Sequence, residues 1–476
     1  MEPDPRRWQA LAVVCVAFFM TVLDVSIVNV ALPSIGRSLH FSETGLQWVI
    51  TAYAITFGGF LLLGGRTADI LGRRRMFVVG VVIFSIASLV CGLAGSTGML
   101  VTARAVQGFG AAIVSPCTLS IITTTFEEGA ERNKALGIWG AMGGSGAAAG
   151  VLFGGILTKY LGWEWIFFVN VPVGAIVLLL TPRVVRESRA PGERQAFDVV
   201  GAGSVTAGLA LLVYAISKAP VDGWSDSLTI GLLAGAALLI AFFLAWESRV
   251  PRPLMPLSIF RIRTLAAANL VGVLLGASVF ANFFLLTLYV QNVLHYSALK
   301  TGITFLATAG TTVVVAGLAQ WLTTKIGPRI VMAAGLALST GGLVWYAHIP
   351  VHGTYAKDLL PGYLLVGFGL ALSFIPVSIA ALAGVGPRDA GLASGLLNTS
   401  QQVGGAIGVA VASSVMITHY DHQLKAGLKF PEAFTSGAQW AFWVMFGISL
   451  ACIVAAVTLI KREELAPAVE VVPAEA

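Results

Sequence analysis

The sequence predicts an all-α, polytopic membrane protein with fourteen transmembrane helices. Charged residues make up only 11% of the 476 residues, whereas ordinary soluble domains carry about 25%. Hydrophobic residues make up 57%, and the mean hydropathy is +0.86. The apolar runs are long enough for helices that span a bilayer, while a transmembrane β-barrel would show short alternating segments. These features exclude a disordered, collagen-like or disulfide-scaffold protein. The four cysteines lie inside apolar runs without a CxxC spacing, so no metal site is expected.

Fourteen apolar segments are long and hydrophobic enough to span a bilayer, and we number them helices 1 to 14. The first is too long for a signal-peptide core and lacks a small-residue cleavage site, so we expect it to be helix 1. The segments cover approximately residues 8–32, 46–64, 76–96, 99–125, 134–158, 163–181, 198–218, 227–246, 265–290, 301–322, 328–347, 359–383, 390–418 and 438–460.

The distribution of lysine and arginine predicts the orientation. With the N-terminus inside, the inside segments hold roughly 21 of these residues and the outside loops roughly 7, as the positive-inside rule requires. We therefore expect a multi-pass protein of the cell (inner) membrane with both termini in the cytoplasm. The net charge of +6 follows from this rule, so no nucleic-acid partner is expected; the predicted surroundings are the lipid bilayer.

Two long charged inside loops divide the chain. They predict a six-helix bundle at 1–181, a linker with two inserted helices at 182–264, a second six-helix bundle at 265–460 and a cytoplasmic tail at 461–476. A faint repeat supports two related halves, because residues 65–80 resemble residues 320–335, although Thr324 stands where the first copy has Asp69. Repeated halves with a site between them are typical of transporters.

Three motifs suggest a family. They are LDVSIVNVALP at 23–33, GRTADILGRR at 65–74 and RAVQGFG at 104–110. Together with GWEWIFFVNVPVG at 162–174, PLMPLSIFR at 253–261, YVQNVL at 289–294 and GLASGLLNTSQQVGG at 391–405, they resemble the major facilitator superfamily, specifically its fourteen-helix drug:proton antiporters. The resemblance runs from about residue 8 to about residue 460 and implies transport by rocking of the two halves.

The predicted function is export of hydrophobic or amphiphilic compounds, drugs or a metabolite, in exchange for protons. No P-loop motif is present, and the inside loops are too short for an ATPase domain, so the expected energy source is the proton gradient, with no cofactor and no enzymatic activity. The alternatives are proton-coupled uptake or transport of a single metabolite, a receptor on the same fold, and the membrane part of an ATP-driven pump.

Asp24, Arg104 and Gln107 are the candidate proton-coupling residues. A carboxylate at bilayer depth costs about 2.5–3.5 kcal/mol on insertion scales, so Asp24 needs a polar cavity, a partner or a proton. Arg104 stays charged, and Gln107 lies on the next turn of its helix. Depths of roughly 12 Å and 8 Å below the outer helix ends, at about 1.5 Å per residue, predict that Asp24 and Arg104 meet. The alternative is a static hydrogen bond or ion pair.

The second motif is a candidate gate. Its acid and glycines lie in the predicted loop between helices 2 and 3, and the resemblance implies a latch between the two halves on the cytoplasmic side. Helix 13 begins on that side near Asp389, so Asp69 is expected against its N-terminal dipole. The alternative is a set of solvated inside charges. The motif residues are Gly65, Asp69, Gly72, Arg73 and Arg74.

Helix 5 carries glycines at four-residue spacing. Such a stripe lets helices approach closely, and it serves either plain packing or sliding of helices. The resemblance implies a proline after the second of these glycines, where this chain has Val151. The residues are Gly146, Gly150 and Gly154, with Gly155 beside them.

Candidates for the substrate cavity combine aromatic rings with a few polar groups, which suits bulky amphiphiles. Ser394, Asn398 and Gln402 recur every four residues and form a polar stripe on helix 13. The alternative for each is a core or lipid-facing position. The other candidates are Asn29, Trp48, Tyr53, Asn282 and Phe283.

Overall fold

A computed structural model describes residues 5–41, 46, 48–127, 129–189, 198–251, 253–386 and 389–460. Within these ranges the regular secondary structure is entirely helical, and fourteen helices are long and apolar enough to cross a membrane. The predicted fold class is therefore confirmed. The predicted tail at 461–476 lies outside the described residues.

The spanning helices occur in the predicted number and order. Helix α6 is preceded by a short helix, Trp165–Phe168, and α12 by a π-helical turn, Tyr355–Leu359. The bounds are α1 Arg7–Ser38, α2 Trp48–Leu71, α3 Arg73–Gly92, α4 Thr97–Thr125, α5 Ala130–Tyr160, α6 Asn170–Val184, α7 Val199–Asp222, α8 Ser227–Glu247, α9 Arg263–Asn292, α10 Ala298–Ile326, α11 Pro328–Tyr346, α12 Leu360–Leu382, α13 Ala390–Lys425 and α14 Phe430–Leu459.

Local sequence signals set several helix ends. Ser96 accepts a hydrogen bond from the Met99 amide at the start of α4, and Asp226 accepts from two amides at the start of α8. Such side-chain caps satisfy amides that lack intrahelical partners. Gly72 and Gly327 turn the chain between consecutive helices at φ of +111° and +90°, which glycine adopts without steric cost. These two turns occupy equivalent places in the two copies of the sequence repeat.

The helices form two groups that meet along several seams. Helices α1–α6 pack mainly on one another, as do α9–α14, and the two groups meet where α2 and α4 contact α13 and where α5 contacts α10 and α12. Helix α7 packs against both α2 and α13, and α8 packs on α7. The two inserted helices therefore stand beside the seam between the bundles. We call the side of the molecule that carries the α2–α3 turn at Gly72 the turn face.

Candidate functional site

A buried ion pair joins α1 and α4. The Arg104 Nη1 donates to Asp24 Oδ2 at 2.5 Å, and the two residues are 1% and 0% exposed. The predicted meeting of these residues is therefore confirmed. Neither charge is exposed in this conformation. Each is the counter-charge of the other, and their attraction offsets part of the free energy of removing both from water.

Two side-chain amides complete the shell of the carboxylate. Gln107 Nε2 donates to Asp24 Oδ1 at 2.8 Å, and Asn170 Nδ2 donates to the same oxygen at 3.0 Å. Both amides also donate to Ser88 Oγ, at 3.1 and 3.0 Å. Asp24 is therefore held by three donors from α4 and α6, which stabilise its ionised form.

Helix α2 holds the other side of the guanidinium. Arg104 Nε donates to the Val49 carbonyl at 3.1 Å, and the guanidinium carbon lies 4.3 Å from the centre of the Tyr53 ring. A cation over an aromatic face is attracted by the ring quadrupole, more strongly when water is excluded. Arg104 of α4 thus contacts α1 and α2 together.

The candidate gating motif is helical, so the loop predicted for its residues is wrong. Gly65 and Asp69 lie within α2, Gly72 alone makes the turn, and Arg73 and Arg74 begin α3. Hydropathy falls where the charges begin, but the backbone hydrogen bonds of a helix do not depend on apolar side chains. Gly65 is helical as well, and its role is close approach, because a Cβ there would meet the Gly391 carbonyl of α13.

Asp69 sits on the first amides of α13. Its Oδ1 accepts from Gly391 N at 3.1 Å, and its Oδ2 accepts from Leu392 N at 3.0 Å. Arg73 Nη2 donates to Oδ1 at 2.6 Å, and both side chains are buried. The predicted contact with the N-terminus of α13 is therefore confirmed, and it places a negative charge where the helix dipole favours one. Nearby, Arg66 pairs with Asp389 at 3.5 Å.

The segment after α6 anchors the start of α3. Glu187 accepts from the amides of Arg74 and Arg75, both at 3.1 Å, and the Ser188 carbonyl accepts from Arg73 N at 2.9 Å. Arg73 also donates to Ser120 Oγ of α4 at 2.6 Å. The α2–α3 turn is therefore fixed within the first bundle, so the contact with α13 is its link to the second bundle.

The helix-5 glycines face two different neighbours. A Cβ on Gly146, Gly150 or Gly154 would meet the backbone or side chains of α1. Gly155 and Val151, on another side of α5, lie against Leu299 and Gly302 of α10. The stripe therefore packs α5 onto α1 within the first bundle, while the position of the expected proline lies on the seam with the second bundle.

The cavity candidates do not share one environment. Asn29 is exposed and donates to its own helix, and Trp48 stacks on Tyr214 of α7 at 5.6 Å. Tyr53 belongs beside Arg104, as described above. Phe283 lies half-buried against Phe305, 5.1 Å between ring centres.

The polar stripe on α13 is partly used in packing. Asn398 Oδ1 accepts from Ser115 Oγ of α4 at 3.2 Å, and Ser394 donates to its own helix. Gln402 is half-buried. Asn282 is 3% exposed, and neither its Oδ1 nor the buried Tyr53 hydroxyl has a hydrogen-bond partner among the described residues, so these two candidates offer unused buried polar atoms.

Sequence reasoning missed several partners in these sites, among them Asn170, Ser88 and Glu187. Asn170 lies in the GWEWIFFVNVPVG stretch, where a polar residue interrupts an apolar run, and this was the available signal. Ser88 and Glu187 carried no comparable signal, because serine is common in membrane helices and Glu187 lies in a charged loop.

Comparison with known proteins was consistent across sequence and structure. The family model described as Major Facilitator Superfamily matches residues 14–409. Puromycin resistance protein pur8 of Streptomyces alboniger is 41% identical over 87% of this chain and 82% of that protein. Cephamycin export protein CmcT of Amycolatopsis lactamdurans is 40% identical over 85% of this chain and 84% of that protein.

A solved structure shows the same fold. The human organic anion transporter MFSD10 (TETRAN) superposes with a TM-score of 0.69 at 18% identity, covering 96% of this chain and all of that one. The family match over most of the chain, with relatives of this similarity, shows that the protein belongs to the Major Facilitator Superfamily and is a multi-pass membrane transporter, not an enzyme.

Proposed function

We propose that this protein exports hydrophobic or amphiphilic compounds in exchange for protons. The observation that supports the proposal is the buried ion pair between Asp24 and Arg104. A carboxylate buried at membrane depth beside a permanent cation can exist either ionised and paired or protonated and released. Those two states are what a proton-driven cycle needs. The names of the relatives, a puromycin resistance protein and a cephamycin export protein, support outward transport.

The turn face is the cytoplasmic face in this proposal. The excess of lysine and arginine on the segments of that side supports the assignment and would put both termini in the cytoplasm of the cell membrane. With Asp69 seated on α13, the cytoplasmic side is closed, and the carboxylate in the outer half is the group that exchanges its proton with the outside.

The test is uphill export from cells that lack their own efflux pumps, measured with a panel of fluorescent monocationic and neutral amphiphiles. Asp24→Asn removes the titratable group and keeps the shape, so it should abolish uphill export and retain downhill exchange. A protonophore should do the same to the wild type. Asp222→Asn is the matched control, because this acid belongs to a surface pair with Lys218 at 3.9 Å. Uphill export by Asp24→Asn, or export that persists with ATP but no proton gradient, would reject proton coupling through this residue.

The rival readings give different results in the same assay. Proton-coupled uptake would show accumulation that the protonophore abolishes. A receptor would bind compounds without moving them.

A further inference from the structure

Asn170 occupies the break between two helical pieces. The short helix Trp165–Phe168 ends just before it, and α6 begins with it. The residue is 1% exposed, so its amide must find partners inside the protein. This position brings the start of α6 to the carboxylate of α1.

The chemistry of its neighbours fixes the orientation of the amide. Ser88 Oγ donates its one hydrogen to the Phe167 carbonyl at 3.0 Å, so that oxygen can only accept from other groups. An ionised Asp24 can only accept as well. Asn170 therefore presents its NH₂ group to both, at 3.0 Å each, and both of its N–H bonds are used. Gln107 does the same from α4.

This arrangement treats the two oxygens of Asp24 differently. A carboxylate oxygen offers about two acceptor positions, and those of Oδ1 are taken by the amides of Asn170 and Gln107. Oδ2 is held by Arg104. If both amide hydrogen bonds to Oδ1 stay in place, a proton can bind only to Oδ2. There it replaces the hydrogen bond from the Arg104 guanidinium.

We propose that Asn170 is a positioning residue for the proton carrier: it holds Asp24 Oδ1, directs the proton to Oδ2 and sets the pH range in which the exchange takes place. The inference rests on the proposed function, in which Asp24 carries the proton. The titratable or charged groups around the carboxylate are Arg104 from α4, Tyr53 from α2 and Cys91 from α3, while α6 contributes the uncharged amide.

Infrared spectroscopy of the purified full-length protein in lipid tests this without a known substrate. The carboxylic C=O band of protonated Asp24 is assigned as the band that Asp24→Asn removes, and it is followed against pH. Asn170→Leu, which keeps the size and removes the donor, should move the midpoint towards alkaline pH by roughly 1 to 2 units, the value of one hydrogen bond to a charged group. The band should also move to higher frequency, because Oδ1 is then the carbonyl oxygen and loses one of its two donors.

Further variants separate the possible outcomes. Asn170→Ala should behave like Asn170→Leu and replaces it if the leucine variant does not fold. Asn170→Ser restores a donor, so it should recover part of the shift in midpoint and part of the shift in band frequency. Asn292→Leu, at the end of α9, is the control and should change neither. If Asp24 titrates but both donor-free variants keep the wild-type midpoint and frequency, the role of Asn170 is wrong and the proposed function stands. If Asp24→Asn removes no titrating band and still exports uphill, the proposed function fails, and this inference fails with it.

Discussion

Removal of one charge at the α2–α13 contact should open the turn face. Asp69→Asn keeps the shape of the side chain but makes one of its two acceptor atoms a donor. Among the described residues, the bonds of Asp69 that cross between the bundles are those to Gly391 N and Leu392 N. The bond to Arg73 stays within the first bundle, so its loss lowers fold stability without favouring either conformation.

The size of the effect follows from those two bonds. Hydrogen bonds to a charged group are worth about 1.5–3 kcal/mol each, and an asparagine oxygen retains one neutral bond of about 1 kcal/mol. The closed turn face should therefore lose about 2–5 kcal/mol relative to an open one. At 1.4 kcal/mol per factor of ten, the ratio of open to closed molecules should rise roughly 30- to 4,000-fold.

Spin-label distances across the turn face measure this ratio. Leu71→Cys and Ile326→Cys provide exposed labelling sites at the turn-face ends of α2 and α10. The four native cysteines are buried, so they do not compete for the label. Asp69→Asn should add a population at longer distance that the wild type and Asp222→Asn lack. A distance distribution identical to that of the wild type in a folded Asp69→Asn protein would refute the latch.

Two further substitutions test neighbouring seams. Gly150→Val should disturb the packing of α5 on α1, because even a Cβ there would meet Ser26 and the Leu23 carbonyl. The melting temperature should therefore fall by several degrees. Gly310→Val is the control, because a Cβ at Gly310 meets open space and the variant should fold normally. Thr324→Asp supplies the acid that the second repeat lacks, beside Asn133 of α5. It should shift the label distances towards the closed turn face, and an unchanged distribution in a folded protein would show that the second repeat cannot act as a latch.

Helix number and order were predictable from sequence because bilayer thickness imposes a length on every apolar run. The same signal misplaced the gating motif, since hydropathy reports where apolar residues end and not where helical hydrogen bonds end. The α2 helix continues to Leu71 through Arg66 and Asp69. These charges are tolerated because Asp69 pairs with Arg73 and Arg66 pairs with Asp389.

The ion pair was predictable for a related reason. Charges at membrane depth are expensive and therefore rare, so two of them at similar depth strongly indicate a pair. Uncharged polar residues carry no such information, because their hydrogen bonds often go to their own helix, as those of Asn29 and Ser394 do. Which of them meet a neighbour, as Asn170 does, depends on helix rotation, and that is set by the packing of all the helices together.

Under the proposed function, helix α2 links the proton-carrying site to the contact that closes the turn face. Near its start, Val49 and Tyr53 hold Arg104, and near its other end Asp69 holds α13. Sixteen residues separate Tyr53 from Asp69 within one continuous helix, about 24 Å at 1.5 Å per residue. Protonation of Asp24 then releases Arg104 and weakens the packing at one end of α2. The other end of the same helix closes the turn face. The coupling then needs no relay of side chains between the two sites, because the helix that senses the proton also carries the latch.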